Sequence, residues 1–401
     1  MLKDKKLILG VTGSIAAYKA VDLASKLTQA GAEVNVIMTR SAQEFVTLLS
    51  FRAITGRPVI TDMFDISSEF AVEHVALARR AQGVVIAPAT ANILAKLAQG
   101  LADDMLTVTV LATQAPVLVA PAMDAAMFQA AATQENLAKL KERGFTMVGP
   151  GYGRLASGEM GLGRLVDAQE IMDALKQVLG RGGDLAGRKV VVSAGGTQEP
   201  IDPVRVITNR SSGKMGYALA EAARDRGAQV ALVTAATLPD PFGVETRHVQ
   251  TVAQMREAIL SACQGADAVI MAAAVSDFRP AEVAKQKVKK SPGREALTLK
   301  LKKIQDFFPE VPKGVLRVGF AAETENLVAN ARKKLREKGL DLIVANDVAA
   351  SDSGFATDTN RAVLMDCRGK EEALPLMLKS ELAERILNKI VELLKERGAG
   401  N

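Results

Sequence analysis

Short apolar runs alternate with amphipathic stretches along the chain, and glycine or proline separates most of them. The run KLILGVT at 6–12 ends at Gly13. The apolar positions that follow recur at helical spacing as far as Gly31, namely Ala20, Leu23, Ala24 and Leu27. Three further continuous apolar runs lie at 32–39, 83–87 and 116–120. Continuous apolar strands separated by helices are typical of a parallel sheet that helices cover on both faces.

A second series of the same kind begins after the glycine-rich polar stretch GRGGD at 180–184, which is typical of a linker. Predicted strands lie at 189–193, 228–234, 266–274, 315–320 and 340–345, and predicted helices at about 214–226 and 380–395. We predict an α/β fold of two Rossmann-like or flavodoxin-like domains, residues 1–183 and 184–401, each a mostly parallel sheet flanked by helices. The likeness between the two series fits shared ancestry and the generic βαβ pattern equally well.

Composition and charge narrow the classes of function. The 401 residues hold 51 Lys+Arg against 45 Asp+Glu, a net charge of +6, which suits small phosphate-bearing substrates as readily as nucleic acid. With no Trp and three Tyr, however, base-stacking nucleic-acid binding is not expected. No run of about 18 apolar residues predicts a membrane span. Cys263 and Cys367 form no disulfide or zinc pattern, and the charged start of the chain is unlike a secretory signal, so we expect a cytoplasmic protein.

Polar motifs follow the predicted strands of the first half. At the strand-to-helix junction 10–16 (GVTGSIA), free backbone N–H groups and the helix dipole favour a phosphate. The Gly-x-Gly-x-x-Gly fingerprint is absent, and a tight turn explains this segment equally well. Three later strand ends also carry polar residues, at 39–41 (TRS), 88–92 (PATAN) and 121–127 (PAMDAAM). Because the carboxyl ends of parallel strands meet at one edge of a sheet, these motifs predict a shared ligand crevice.

These motifs, with His74 in EHVAL and the segment 155–164 (LASGEMGLGR), resemble the homo-oligomeric flavin-containing cysteine decarboxylases. The resemblance implies FMN at a subunit interface, a catalytic histidine at His74 and a mobile flap over the substrate at 155–164. It carries flavin-binding positions onto Gly13, Ser14, Ile15, Thr39, Ser41, Pro88, Thr90, Asn92 and Met123. An imidazole can take up and return protons during thiol oxidation, although a lone histidine is more often structural.

Two residues depart from that family. Asp124 stands where its pantothenoyl-cysteine members usually have Asn, and Ser157 stands where they usually have Cys. An ionised Asp only accepts hydrogen bonds and would repel a substrate carboxylate, so Asp124 is either protonated or in contact with another group such as an amide. A serine hydroxyl is a far weaker acid than a thiol, so water or another donor would have to supply the proton. Because of Ser157, a second interpretation stays open: the first half is a flavin-binding regulatory module that does not turn over a substrate. A flavin prenyltransferase, a third interpretation, would share the fold of the first half of the chain but would have no counterpart of the second half.

The second half contains a longer motif, 193–216 (SAGGTQEPIDPVRVITNRSSGKMG). It combines a strand, a glycine turn and a Ser-Ser-Gly-Lys step into a helix, where small residues and exposed N–H groups allow a triphosphate to approach closely. Walker A spacing is absent. The motif closely resembles the signature of phosphopantothenate–cysteine ligases. That resemblance continues at 272–278, 287–290, 319–324, 345–347 and 354–360.

This second resemblance implies a ligase that uses CTP and Mg²⁺, with dimeric ligase domains beside trimeric decarboxylase domains. Asn209 and Lys287 are the implied catalytic residues, and Asp277 is the implied Mg²⁺ ligand. Implied nucleotide- and substrate-binding positions are Gly195, Gly196, Ser211, Ser212, Gly213, Lys214, Ala273, Asp277, Lys289, Lys290 and Phe320. Without the resemblance, the basic segment 285–303 would be interpreted as a solvated face, an interpretation we keep for 300–303.

Together the two resemblances imply two consecutive steps of coenzyme A biosynthesis. The first is CTP-dependent ligation of 4′-phosphopantothenate with cysteine through an acyl-cytidylate. The second is FMN-dependent oxidative decarboxylation of that product to 4′-phosphopantetheine.

Overall fold

The computed structural model describes residues 1–64, 73–289, 298–323, 326–347 and 357–399 of the chain. The chain divides into two compact units, Met1–Leu179 and Gly180–Asn401, each with its own buried apolar cores. The mixed α/β architecture confirms the predicted fold class. The predicted boundary after residue 183, and the assignment of one activity to each side of it, stay predictions.

Among its described residues, the first unit has the strands β1 (Lys6–Val11), β2 (Glu33–Met38), β3 (Val59–Ile60), β4 (Gly83–Ala89), β5 (Val117–Pro121), β6 (Thr146–Met147), β7 (Gly151–Arg154) and β8 (Met160–Arg164). The first six form a parallel sheet in the order β3-β2-β1-β4-β5-β6, and β7 pairs with β8 as an antiparallel hairpin. The helices are α1 (Ala17–Gln29), α2 (Leu48–Thr55), α3 (Glu73–Arg80), α4 (Ala91–Gln99), α5 (Met105–Ala112), α6 (Ala125–Gln129), α7 (Ala131–Glu142) and α8 (Ala168–Gly180).

Strand order and local sequence together place a crevice in this unit. The order reverses at β1, which has β2 on one side and β4 on the other, and such a point in an open α/β sheet is where ligands bind. The predicted spacing of α1 is confirmed, because Ala20, Leu23 and Leu27 are buried. The α4 helix begins at the same edge, where the Thr90 side chain accepts a hydrogen bond from the Ile93 N–H at 3.3 Å.

The described strands of the second unit are β9 (Lys189–Ala194), β10 (Gln198–Pro200), β11 (Val206–Thr208), β12 (Gln229–Thr234), β13 (Glu245–His248), β14 (Ala268–Met271), β15 (Phe278–Pro280), β16 (Leu301–Lys303), β17 (Leu316–Glu323), β18 (Leu342–Asp347), β19 (Thr359–Asp366) and β20 (Glu371–Leu378). The main sheet has the order β13-β12-β9-β14-β17-β18-β19-β20. Its first six strands are parallel, whereas β19 is antiparallel to both of its neighbours. Short antiparallel pairs join β10 to β11 and β15 to β16.

Helices cover this sheet on both faces, as the continuous apolar strands predicted. They are α9 (Lys214–Asp225), α10 (Val252–Ala262), α11 (Leu327–Glu337) and α12 (Lys379–Ala399). One core contains buried side chains of α9 and α12, such as Leu219 and Ile386. The other contains side chains of α10 and α11, such as Ile259 and Leu335. The α9–α12 pair therefore lies on one face of the sheet and the α10–α11 pair on the other.

The glycine-rich stretch predicted as a linker is packed onto the second unit. Leu185 is fully buried, and Asp184 forms an ion pair with Arg226 at 2.5 Å, just beyond the end of α9. A Cβ atom at Gly183 would lie 2.4 Å from the Arg226 carbonyl oxygen, so only glycine allows this close approach. None of the helices within the described ranges is long and apolar enough to cross a membrane.

Candidate functional site

Hydrogen bonds tie three predicted strand ends of the first unit together. The Thr12 hydroxyl, at the end of β1, donates to the Pro88 carbonyl oxygen at 2.7 Å. The Thr90 N–H in turn donates to the Thr12 hydroxyl oxygen at 3.2 Å. After β1 the chain passes so close to the segment after β2 that a Cβ atom at Gly13 would lie 2.4 Å from the Ser41 Cβ. The sequence-predicted cofactor residues around Gly13, Ser41 and Pro88–Thr90 therefore meet at one edge of the sheet.

One buried polar atom of this crevice has no hydrogen-bond partner among the described residues. The Thr39 hydroxyl, directly after β2, is buried and makes no hydrogen bond to the part of the chain that the structure describes. Buried polar atoms nearly always have a partner, so this hydroxyl points to a polar ligand group. Nearby, Ser14 accepts a hydrogen bond from the Ala16 N–H at 3.2 Å, and Ile15 is exposed on the surface. This arrangement fits a ligand with both polar and apolar parts.

The β7–β8 hairpin docks against the segment that follows β5. The Met123 N–H donates to the Gly163 carbonyl oxygen at 3.0 Å, and a Cβ atom at Gly163 would lie 2.2 Å from the Met123 carbonyl oxygen. At the turn of the hairpin, the Ser157 hydroxyl donates to one carboxylate oxygen of Asp124 at 3.1 Å. The other oxygen accepts the Ala126 N–H at 3.0 Å and caps α6. The two residues that depart from the decarboxylase pattern are thus in direct contact.

His74 lies at the start of α3 and is half-buried. Among the described residues, no hydrogen bond or ion pair joins it to Asp124 or Ser157. The other histidine, His248, is exposed at the end of β13, with Nε2 2.7 Å from an Asp240 carboxylate oxygen.

A cavity of about 1060 Å³ opens at the carboxyl edge of the second sheet. Sequence-predicted residues that line it are Asn209, Ser211, Ser212, Gly213, Lys214, Ala273, Asp277 and Phe320. Gly213 precedes α9 with a φ of +79°, a left-handed conformation that favours glycine, and the first turn of α9, whose N–H groups have no partner within the helix, lines the cavity. The Asn209 side-chain amide donates to the Val275 carbonyl oxygen at 3.1 Å, which joins the two main motifs.

Gly195 and Gly196 lie outside the lining of this cavity and allow close packing instead. At Gly195, which has a φ of +80°, a Cβ atom would lie 2.4 Å from the Ala236 N atom. At Gly196, a Cβ atom would lie 2.4 Å from the Asn209 carbonyl oxygen. Gly196 therefore lets the chain that carries Asn209 cross directly over the end of β9, and Gly195 allows the segment after β12 to pack there. Direct contact of either glycine with a nucleotide stays a prediction.

Lys287 and Lys289 are exposed and are not among the residues that line the cavity. Their segment is attached through Val288, whose N–H donates to an Asp202 carboxylate oxygen at 3.1 Å and whose carbonyl oxygen accepts from Arg205. Burial by itself would raise the pKa of Asp202, but hydrogen bonds from backbone N–H groups and the charge of Arg205 hold it below its usual value. Lys290 and the motif positions Thr324, Gly354 and Phe355 lie outside the described residues.

The structure adds cationic residues that sequence analysis did not single out. Lys303, Lys334, Lys338 and Lys379 line the cavity. The Lys334 ammonium donates to the Phe320 carbonyl oxygen at 2.7 Å, and Lys338 pairs with Asp306 at 2.9 Å. Only the four-residue spacing between Lys334, on α11, and Lys338, directly after it, could have signalled that the two share a face, and the many basic residues around them mask this signal.

Asp277 is the one predicted metal ligand. Its side chain is exposed and lines the cavity, and it makes no hydrogen bond or ion pair to another described residue. Within the described ranges, no group of three His, Cys, Asp or Glu side chains could hold a metal ion. A single carboxylate fits Mg²⁺ that is held mainly by water and substrate phosphates.

Two protein families and several sequence relatives match this chain. The Flavoprotein family matches residues 1–180, and the DNA/pantothenate metabolism flavoprotein C-terminal domain family matches residues 185–394. The coenzyme A biosynthesis bifunctional protein CoaBC of Bacillus subtilis is 45% identical over 405 residues, which cover 99% of this chain and 99% of that protein. The protein of the same name from Mycobacterium tuberculosis is 45% identical over 410 residues, which cover 97% of each.

A solved structure of the C-terminal domain of a coenzyme A biosynthesis bifunctional protein CoaBC is 38% identical. It covers 53% of this chain and 99% of that chain, with a TM-score of 0.46. The sequence relatives, which cover 97–99% of the chain at 45% identity, show the family. The chain therefore belongs to the family of the coenzyme A biosynthesis bifunctional protein CoaBC.

Proposed function

We propose that the protein catalyses two consecutive steps of coenzyme A biosynthesis. The second unit joins 4′-phosphopantothenate to cysteine at the expense of CTP, and the first unit decarboxylates the product to 4′-phosphopantetheine. The observation that carries this proposal is the convergence of the second motif: residues scattered from Asn209 to Phe320 line one cavity of about 1060 Å³, which is large enough for a nucleotide and a second substrate. We assign residues 1–183 to the decarboxylase and 184–401 to the ligase.

In the ligase, two bond exchanges would take place in this cavity. The 4′-phosphopantothenate carboxylate attacks the α-phosphorus of CTP, and the bond to pyrophosphate breaks. The cysteine amine then attacks the acyl carbon and loses a proton, and CMP leaves as the amide forms. The Ser211–Lys214 turn and the free N–H groups of α9 would bind phosphate oxygens, with Asn209 orienting the acyl group.

Mg²⁺, when bound, would neutralise phosphate charge, with Asp277 as its protein ligand. Lys287 would have to move into the cavity to stabilise the charge that develops on acyl transfer. Its attachment through Val288, next to Asp202 and Arg205, leaves the lysine side chain itself in solvent and able to swing.

In the decarboxylase, the crevice around Gly13, Thr39 and Thr90 would hold FMN, and the unpartnered Thr39 hydroxyl fits a polar group of that cofactor. FMN, when bound, supplies a two-electron acceptor. Apart from the cofactor, His74 would take up and return protons at the substrate thiol. Asp124 already accepts from Ser157 and Ala126, and as an acceptor it would bind a substrate amide N–H better than a carboxylate.

Subunit association would complete the decarboxylase site. Ile15, Tyr18 and Leu49 are 58%, 63% and 71% exposed, and association with a second copy would bury such apolar side chains. We propose trimeric decarboxylase domains in which a second copy brings His74 to Asp124, and dimeric ligase domains. The cysteine substrate must remain a thiol, which favours a reducing cytoplasm. Since the relatives align over both halves, an inert flavin-binding module fused to a ligase is not favoured.

One purified preparation tests the proposal. The full chain should carry a flavin absorption spectrum and should convert 4′-phosphopantothenate, CTP and cysteine to 4′-phosphopantetheine, CO₂, CMP and pyrophosphate, as measured by mass spectrometry. Formation of the cysteine adduct without loss of CO₂ would remove the decarboxylase half of the proposal. Failure to form the adduct in the presence of Mg²⁺ and CTP would remove the ligase half.

A further inference from the structure

The loop at 272–277, between β14 and β15, forms one wall of the cavity in the second unit. Every residue from Met271 to Asp277 lines that cavity. The parallel pairing of β14 with β9 ends at Met271, opposite Ser193, so the regular ladder of the sheet does not extend into the loop. Two side chains that do hold it, Ser193 and Thr197, are fully buried and are not among the described residues that line the cavity.

The first half of the loop is attached to the end of β9 and the glycine turn that follows. The Ala273 N–H donates to the Ser193 hydroxyl oxygen at 3.1 Å. One residue further, the Ala274 N–H donates to the Gly195 carbonyl oxygen at 2.9 Å, and the Ala274 carbonyl oxygen accepts the Thr197 N–H at 3.3 Å. Main-chain groups therefore make most of the hydrogen bonds that fix this half of the loop.

The second half of the loop is attached through the Thr197 side chain. The Ser276 N–H donates to the Thr197 hydroxyl oxygen at 2.9 Å, and that hydroxyl donates to the Ser276 Oγ at 3.2 Å. The Ser276 hydroxyl in turn donates to the Thr197 carbonyl oxygen at 3.3 Å. The three bonds form a buried hydrogen-bonded ring between Thr197 and Ser276, in which each hydroxyl accepts one bond and donates another. Two of the three bonds need the Thr197 hydroxyl, so the ring cannot form without it.

This ring lies directly before Asp277, the proposed Mg²⁺ ligand. The Asp277 side chain is exposed and makes no hydrogen bond or ion pair to another described residue, so only its backbone fixes its position. On one side, its carbonyl oxygen accepts the Ile304 N–H at 2.8 Å, just after β16, a strand of the separate β15–β16 pair. On the other side, Ser276 and Thr197 connect it to buried groups at the end of β9.

Loss of the Thr197 hydroxyl would leave the buried Ser276 N–H without its acceptor. The cost of such an unpaired group corresponds to about 5- to 100-fold in an equilibrium, and it would favour loop positions in which the N–H reaches water. A ligand that moves with the loop binds its ion only in the fraction of molecules whose loop is in the native position. The apparent affinity for the ion should therefore fall with that fraction.

We propose that Thr197 is a positioning residue, which through Ser276 holds Asp277 in place as the ligand of the Mg²⁺ bound with CTP. This inference rests on the proposed ligase function. Thr197 does not line the cavity, so it contacts neither the substrates nor the metal ion. Its hydroxyl accordingly affects the binding of CTP that carries Mg²⁺, and has little effect on the binding of CTP without a metal ion.

The test measures the affinity of the full chain for CTP by calorimetry, once with Mg²⁺ and once with EDTA. Thr197→Val keeps the shape of the side chain but removes the hydroxyl. It should weaken binding of Mg²⁺–CTP about 5- to 100-fold and change binding of metal-free CTP less than about 3-fold. Thr197→Ser keeps the hydroxyl and should restore most of the affinity for Mg²⁺–CTP. In ligation assays, Thr197→Val should raise the Mg²⁺ concentration that gives the half-maximal rate by the same factor.

Thr234→Val is the matched control for a general loss of stability. Thr234 is also fully buried, at the end of β12 beside β9, and its hydroxyl oxygen accepts the Ala236 N–H at 3.0 Å. This substitution should lower the unfolding temperature as Thr197→Val does, but should leave the ratio of the two CTP affinities at the parent value. If Thr197→Val does not fold, Ser276→Ala, which removes two bonds of the ring, must weaken Mg²⁺–CTP binding selectively.

A double variant tests whether Thr197 acts through Asp277. Thr197→Val should weaken Mg²⁺–CTP binding no further when Asp277→Asn is already present, because both changes remove the same interaction. A further loss in the double variant, equal weakening with and without Mg²⁺, or a parent protein whose CTP affinity does not depend on Mg²⁺ would overturn the inference. If the parent binds Mg²⁺–CTP but forms no cysteine adduct, the proposed function fails, and the same affinities still decide the role of Thr197.

Discussion

Gly163→Ala tests whether the docked β7–β8 hairpin matters for decarboxylation. In the native structure a Cβ atom at this position would lie 2.2 Å from the Met123 carbonyl oxygen, whereas real Cβ atoms essentially never come closer than 3.0 Å. The new methyl group must therefore push the hairpin away by roughly 1 Å, and such overpacking costs about 1–3 kcal/mol. The shift also weakens the Met123–Gly163 backbone hydrogen bond, which contributes about 0.5–1.5 kcal/mol.

The two contributions together disfavour docking by about 1.5–4.5 kcal/mol, or about 10- to 2000-fold in the docked population. The Ser157–Asp124 hydrogen bond is exposed and stabilises docking much less, so it cannot compensate. We expect kcat/KM for decarboxylation to fall within that range if the hairpin must be docked during turnover. Hydrogen exchange of the β7–β8 amides should accelerate in parallel, while ligation by the same preparation stays at the parent rate.

Gly151→Ala is the matched control in the same hairpin. A Cβ atom there would make ordinary contacts, 3.6 Å from a Val166 methyl group and 3.7 Å from the Arg164 carbonyl oxygen. Decarboxylation and amide exchange should therefore change little. Equal effects of the two substitutions, or parent-like decarboxylation in Gly163→Ala, would refute the link between this backbone contact and the reaction.

Three further predictions concern single side chains. His74→Asn should keep flavin and ligase activity but slow CO₂ release by about 10²–10⁴-fold, whereas His248→Asn should have no effect on either reaction; equal effects of both would contradict the assignment. Lys287→Ala should slow ligation about 100- to 1000-fold and leave decarboxylation of supplied phosphopantothenoylcysteine unchanged, so a parent rate of ligation would remove Lys287 from the site. Burial raises the pKa of Cys263 to about 11, so at pH 8 a thiol reagent should label exposed Cys367 quickly and Cys263 only after unfolding. Rapid labelling of two thiols in the native protein would show that the core around Cys263 opens.

Much of the fold could be predicted because its signals are local. The strand at 189–193 and the helix at about 214–226 appear as β9 and α9 with nearly the same ends. Both could be predicted because a strand buried on two faces and an amphipathic helix each show a recognisable pattern over a few neighbouring residues. The antiparallel β19 and β20 were not predicted. β20 does hold an apolar run, 373–378 (ALPLML), but Pro375 interrupts it and Leu376 and Leu378 are exposed, which suits a strand at the edge of the sheet and differs from the strands buried on two faces that the pattern marks.

The sequence by itself also determined the family and most of the motif residues, because Gly13, Thr90, Asn209 and Asp277 lie in short, ordered patterns. Only the tertiary structure decided which of these residues meet and what joins them. Lys379 lies 165 positions after Lys214 and no pattern connects the two. They come together because α9 and α12 pack side by side and begin at the same edge of the sheet. Side-chain periodicity is a property of one element, whereas a binding cavity is formed where the ends of many elements converge, and that convergence depends on the strand order.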